Sequence, residues 1–149
     1  MNKSHSVLND IAQQVQEIVQ AETAVVALAE DEGATVYYAA AVGKHTEQIL
    51  DRRGAVATSG LCGTAFQGYQ PVLVCSTQGD HRVRQDQAQA LGIQTALAVP
   101  LYHENQLLGA LMALNRTDGS LFDEEAEQVL ADYAPEAASL IHQYQTCVE

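Results

Sequence analysis

The chain has 149 residues, 47% of them hydrophobic, which is enough apolar material for one continuous core in a single domain over residues 1–149. Its 19 acidic and 7 basic side chains give a formal net charge of −12, which repels a phosphate backbone and anionic lipid and so excludes nucleic acid and membrane surfaces as partners. No apolar run approaches the roughly 20 residues that cross a bilayer. No signal-peptide pattern follows Met1, and Cys62, Cys75 and Cys147 form no C-x-x-C pair, so reduced thiols and a cytoplasmic location are expected.

Leu8, Ile11, Val15, Ile18 and Val19 recur at three- and four-residue intervals among glutamines, which predicts an amphipathic opening helix. Residues 23–29 and 34–42 read as a hairpin around a Glu30-to-Gly33 turn, and 45–53 as a short helix. Two permissive glycines, Gly60 and Gly63, suit a tight entry into a short helix over 60–68. Residues 71–74 read as a buried strand, 76–81 as a polar loop and 83–91 as a helix stopped by Gly92. Strands at 95–101 and 107–115 form a second hairpin, and their wealth of Leu, Ala and Val puts them at the sheet centre. A closing helix from Phe122 carries Val129, Leu130, Tyr133, Ala137, Leu140 and Ile141, with a kink or break expected near Tyr133 because Pro135 lacks a backbone donor. The element order favours an α+β domain with an antiparallel sheet and helices on its faces.

Taken in order, Gly60-Leu61-Cys62-Gly63-Thr64-Ala65, Gly68-Tyr69-Gln70-Pro71-Val72-Leu73-Val74, Asp80 and Arg82, Leu97-Ala98-Val99-Pro100-Leu101 and Leu108-Gly109-Ala110-Leu111 resemble a GAF domain. That resemblance spans nearly the whole chain. It implies a six-stranded antiparallel sheet with the terminal helices on one face and a ligand pocket on the other, walled by residues 60–68 and 75–94. The pocket candidates are Cys62, Thr64, Cys75, Ser76, Asp80, His81, Arg82 and Thr95. Relatives that bind cyclic nucleotides carry an Asn-Lys, Phe, Asp-Glu signature; Asn115, Arg116, Phe122 and Glu127 match it loosely, while Ala126 replaces the aspartate. Relatives that attach a bilin use a cysteine in the helix before the Leu-Val-Pro strand, and residues 82–94 contain none.

Cys62 invites an enzymatic reading, because free methionine sulfoxide reductases contain a similar Gly-x-Cys-Gly-Thr-Ala segment. Their chemistry needs a nucleophilic thiolate and a resolving thiol. Their Gly-His-Ile-Ala-Cys-Asp segment is absent here, where Arg84-Gln85-Asp86-Gln87-Ala88 stands instead. Buried apolar cysteines are the plainer reading. Asp80, His81 and Arg82 offer either a site for an anion, with Arg82 as a planar fork, or an ion pair that orders the loop. The spacing of His45, His81 and His103 matches no metal-ligand pair, and no metal or cofactor is indicated. Adjacent Tyr37 and Tyr38 must face opposite sides of a strand.

These readings converge on a non-enzymatic sensory module that binds a small molecule and signals to a downstream protein or domain. It is expected to form a homodimer through Leu8, Ile11, Val15 and Ile18. The alternatives are a thiol-dependent methionine sulfoxide reductase and a ligand-free dimerisation scaffold.

Overall fold

The apolar spacing of the first segment produces α1 (Lys3–Ile18), which buries Leu8, Ile11, Ala12 and Val15 along one side. Each large side chain removed from water there contributes about 1.5–3 kcal/mol. The helix ends as Gln20 turns into the left-handed region at φ 56° and returns its side-chain amide to the Glu17 carbonyl at 2.9 Å. The computed structural model describes residues 3–30, 34–44, 46–55, 60–68, 70–74 and 92–147. The helix expected at 83–91 and the loop at 76–81 lie outside them.

Strands β1 (Ala21–Glu30) and β2 (Thr35–Gly43) form the first expected hairpin. Val26 pairs with Ala40 and Ala27 with Tyr38, so Ala39 is an extra residue that bulges out of the ladder. The tyrosine question is thereby resolved: Tyr37 packs toward the core under the terminal helices, and Tyr38 toward the core on the opposite face.

The helix expected over 45–53 is cut to one turn, α2 (Thr46–Ile49). Asp51 adopts φ 66°, its N–H donates to the Tyr38 carbonyl at 2.8 Å, and the Tyr38 N–H donates to the Arg52 carbonyl at 2.9 Å. These bonds draw Arg53–Ala55 onto β2 as the edge strand β3. Its register is reinforced by Arg53, which bonds Glu30 at 2.8 and 3.4 Å and lies 4.0 Å over the Tyr37 ring. Tyr37 donates to Asp51 at 2.9 Å, and this bond, followed by burial, raises the phenol pKa. The group is exposed and adds orientation more than stability.

Helix α3 (Gly60–Gly68) and β4 (Val72–Val74) follow, then β5 (Ala96–His103) and β6 (Gln106–Arg116). The last hairpin closes on Glu104 and Asn105 at φ 52° and 68°, the two positive values of a type I′ turn. All pairings are antiparallel and the sheet order is β3-β2-β1-β6-β5-β4. Gly109 is obligatory at its centre, because a Cβ there would stand 1.9 Å from the Ala27 carbonyl oxygen.

Helix α4 (Glu124–Cys147) runs unbroken through Pro135, against the expected break. Proline in a helix interior costs about 3 kcal/mol. Burial of Leu130, Ala134, Ala137, Ala138 and Ile141 against the sheet outweighs that. Near its C-terminal end His142 stacks on His103 of the hairpin tip, with ring centroids 4.1 Å apart and 22° between planes.

Two cores result. One lies between the sheet and the pair α1 and α4, and includes Leu97, Val99, Leu101, Leu111 and Phe122. The other lies on the α3 face, where Ala27, Ala96, Ala98 and Ala110 sit among Val25, Val36, Phe66 and Met112. The α1 stripe proposed as a dimer seam is consumed by the first core: Leu8, Ile11 and Val15 are all buried within one chain. Among the described residues, the large hydrophobic side chains that remain exposed on a terminal helix are Val129 and Leu140 of α4, each 38% accessible.

Candidate functional site

Of the pocket candidates, Cys75, Ser76, Asp80, His81 and Arg82 lie outside the described residues. Cys62 falls in α3, with its side chain also outside the described ones, and Thr64 is half-buried in the same helix. Thr95 is 1% accessible. Its hydroxyl donates to the Val74 carbonyl at 3.1 Å and accepts the Phe122 N–H at 3.0 Å. The one proton of that hydroxyl is therefore committed to the backbone, and Thr95 acts as a brace between the end of β4, the entry to β5 and the approach to α4.

A second brace, not foreseen as such, is Asn115. It occupies the left-handed region at φ 61°, which asparagine tolerates better than most residues. Its side-chain oxygen accepts the N–H groups of Gln94 at 2.7 Å and Thr95 at 3.3 Å, and its amide donates to the Gly92 carbonyl at 3.0 Å. The stretch 92–95 is thus held by side-chain bonds before β5 begins. Asn115, Arg116 and Phe122 do come together, with the Arg116 guanidinium carbon 6.0 Å from the Phe122 ring centre. Ala126, which replaces the acid of the signature, is buried.

Around these braces lies a cavity of about 330 Å³ at the end of the sheet, lined by Thr95 and, from the expected 75–94 wall, by Gly92 and Gln94. Glu22, Lys44, Gln94, Asn115, Arg116 and Ser120 contribute polar side chains to its wall. Thr23 fixes Lys44, accepting its N–H at 3.2 Å and donating to its carbonyl at 3.0 Å. Lys44 Nζ then sits 3.3 Å from Glu22 Oε2, and Asn115 Nδ2 3.5 Å from Glu22 Oε1. Arg116 differs: its Nε is enclosed and has no hydrogen-bond partner, and among the described residues the guanidinium forms no ion pair. An orphaned buried donor of this kind costs about 1–3 kcal/mol. Asp118 is near enough to feel its charge but makes no hydrogen bond to it; Oδ1 accepts the Ser120 hydroxyl at 2.6 Å and the Ser120 N–H at 2.9 Å. Those two bonds hold the Asp118 carboxyl below the ordinary range.

Among the described residues, no cluster of three His, Cys, Asp or Glu side chains is placed to hold a metal ion, and no helix is long and apolar enough to cross a membrane.

The sheet order, the helices on its two faces and the α3 segment define the class, and the sequence model for the GAF domain matches residues 3–142. The chain belongs to the GAF domain family. The GAF domain of an Acinetobacter phosphoenolpyruvate-protein phosphotransferase superposes with a TM-score of 0.80 at 18% identity, covering 97% of this chain and 85% of that one. Free methionine-R-sulfoxide reductase from Neisseria meningitidis, in complex with its substrate, gives 0.78 at 18% identity, covering 98% and 83%. The second GAF domain of DevS from Mycobacterium smegmatis gives 0.77 at 17% identity, covering 97% of each chain. At these identities the likeness establishes the shared fold. No curated protein matches the sequence significantly.

Proposed function

We propose that this chain is a regulatory GAF module that binds a small molecule on the α3 face of the sheet and passes occupancy to a partner through α4. The observation that carries the reading is the Thr95 hydroxyl, which joins Val74 and Phe122. A displacement at either end of the 75–94 segment is felt at the backbone entering α4. The alanines of β1, β5 and β6 support it too, since small side chains leave a floor on which a ligand can lie close to the sheet. The ligand-contacting residues in this reading are Cys62, Thr64, Cys75, Ser76, Asp80, His81 and Arg82. Native mass spectrometry of freshly purified protein tests it. A stoichiometric adduct lost on denaturation is expected, and its absence, together with no stabilisation by any member of a metabolite panel, favours the ligand-free scaffold.

A second reading, a thiol-dependent reductase, is favoured by the position of the Gly-Leu-Cys-Gly-Thr-Ala segment in α3, on that same face. Turnover of free methionine sulfoxide with a thiol reductant, abolished by Cys62→Ser, would replace the first reading by this one.

A further inference from the structure

Among the described residues the end-of-sheet cavity shares no wall residue with the core on the α3 face, and its wall carries a charge imbalance. Among the described residues, two of the chain's 7 basic side chains, Lys44 and Arg116, line it against a single acid, Glu22. Glu22 is neutralised in place by Lys44 at 3.3 Å and touched by Asn115 at 3.5 Å. Among the described residues Arg116 forms no ion pair: Asp118 feels its charge but bonds Ser120 instead, and the guanidinium lies beside the Phe122 ring with its Nε enclosed and unpartnered. The chain's overall charge of −12 opposes an anion only at long range. Fields from exposed charges are largely screened beyond about 8 Å at physiological salt, so the nearest groups decide.

From this geometry we infer that the cavity is a binding site for a small organic anion, whose carboxylate or phosphate oxygens meet the Arg116 guanidinium. The planar guanidinium matches either oxyanion through paired charge-assisted hydrogen bonds. Lys44 reinforces the attraction from the rim, where it is 66% accessible and able to pivot between Glu22 and the ligand. The space, about 330 Å³, exceeds the roughly 30 Å³ share of one water and falls in the range of about 300–1,000 Å³ typical of ligand pockets. It therefore has room for a carbon skeleton beyond the anionic head, against the Gln94 and Asn115 side chains.

Placement gives the site a regulatory character. Glu22 lies four residues beyond the end of α1, and Ser120 four residues before the start of α4. An occupant thus touches the roots of both terminal helices. It also contacts the braces of the 92–95 stretch.

Titration of ¹⁵N-labelled full chain with inorganic phosphate and, separately, with acetate tests this, at constant ionic strength set by sodium chloride. The expected result is a saturable shift of the Arg116 Nε–H resonance and of the Gly119 and Ser120 amides with at least one of the two probes. The probe that binds more tightly identifies the head group as phosphate or carboxylate. Arg116→Gln should weaken binding at least about tenfold, as expected for loss of a charge-assisted bond, and Arg82→Ala should leave it unchanged. Absence of saturation with both probes overturns the proposal. So does equal affinity in Arg116→Gln, or loss of binding in Arg82→Ala, which would assign the anion to the α3-face site instead. Should Arg116→Gln fail to fold, Lys44→Met supplies the same test, with about fivefold weaker binding expected and no change counting against the site.

Discussion

The Asn115 side-chain amide donates to the Gly92 carbonyl at 3.0 Å, so the last turn of chain before β5 hangs from the far end of β6. Four side-chain bonds and a left-handed backbone are concentrated in one residue, which makes their contributions separable. Asn115→Gly keeps the backbone angle free of strain and loses the bonds, whereas Asn115→Ala loses both. The alanine variant should be less stable than the glycine variant by about 1 kcal/mol in urea denaturation, reversing the usual order of the two residues. Equal stability would show that the φ of 61° carries no cost here.

Thr95→Val preserves shape and removes the hydroxyl. The Val74 carbonyl loses this donor and the Phe122 N–H its acceptor in a buried setting, so the variant should lose about 2–4 kcal/mol. Thr95→Ser, which keeps the hydroxyl, should lose less than half as much. Amide exchange of Phe122 and the first turn of α4 should accelerate in the valine variant before that of β1.

The Asp118 carboxyl is held below its ordinary value chiefly by the Ser120 hydroxyl, then by the Ser120 backbone N–H. A depressed folded-state value means that the ionised turn contributes stability above the unfolded pKa of about 3.9, and that this is lost as pH falls through the lower folded value. Ser120→Ala should raise the Asp118 pKa, measured by carboxyl ¹³C shifts, and move the loss of the turn to higher pH. An unchanged titration would place the cause elsewhere.

Val129 and Leu140 lie eleven residues apart on α4, so they share one side of the helix, and both are 38% accessible. We expect a homodimer through this side rather than through α1. Sedimentation at micromolar concentration should show dimer for the wild type and monomer for a Val129→Glu, Leu140→Glu variant of unchanged thermal stability. Ile11→Glu, by contrast, should unfold the chain, since Ile11 is buried in the core of a single copy.

Periodicity and turn residues made most of the architecture legible in advance. The apolar runs of β1, β5 and β6, the glycines around α3 and the three- and four-residue spacing of α1 each report a local preference that tertiary packing keeps. Arg53 was read as the end of a helix and the strand Arg53–Ala55 went unforeseen, because its strand character comes from partners distant in sequence, Tyr37 and Glu30, and not from its own side chains. Of the kink or break expected from Pro135, the break does not occur, for a related reason: the penalty is local, and the compensating burial of Ala137 and Ile141 is not. Thr95 was legible as a residue of the site's boundary, but a sequence carries no sign of whether a hydroxyl faces a ligand or a carbonyl. Arg116 was noted through its signature, but a sequence does not show that its Nε is enclosed without a partner.

The single bond from Thr95 to Val74 also bears on how such a chain can be diversified. It ties the two mouths of the 75–94 stretch together on the scaffold side, so their separation is set by β4 and β5 whatever sequence runs between them. Doubling the length of a tethered insert costs only about 0.6 kcal/mol in closure entropy. The stretch is in effect an exchangeable cassette, and transplanting the equivalent segment of another family member between Val74 and Thr95 should change what is recognised while leaving the frame that reports it intact.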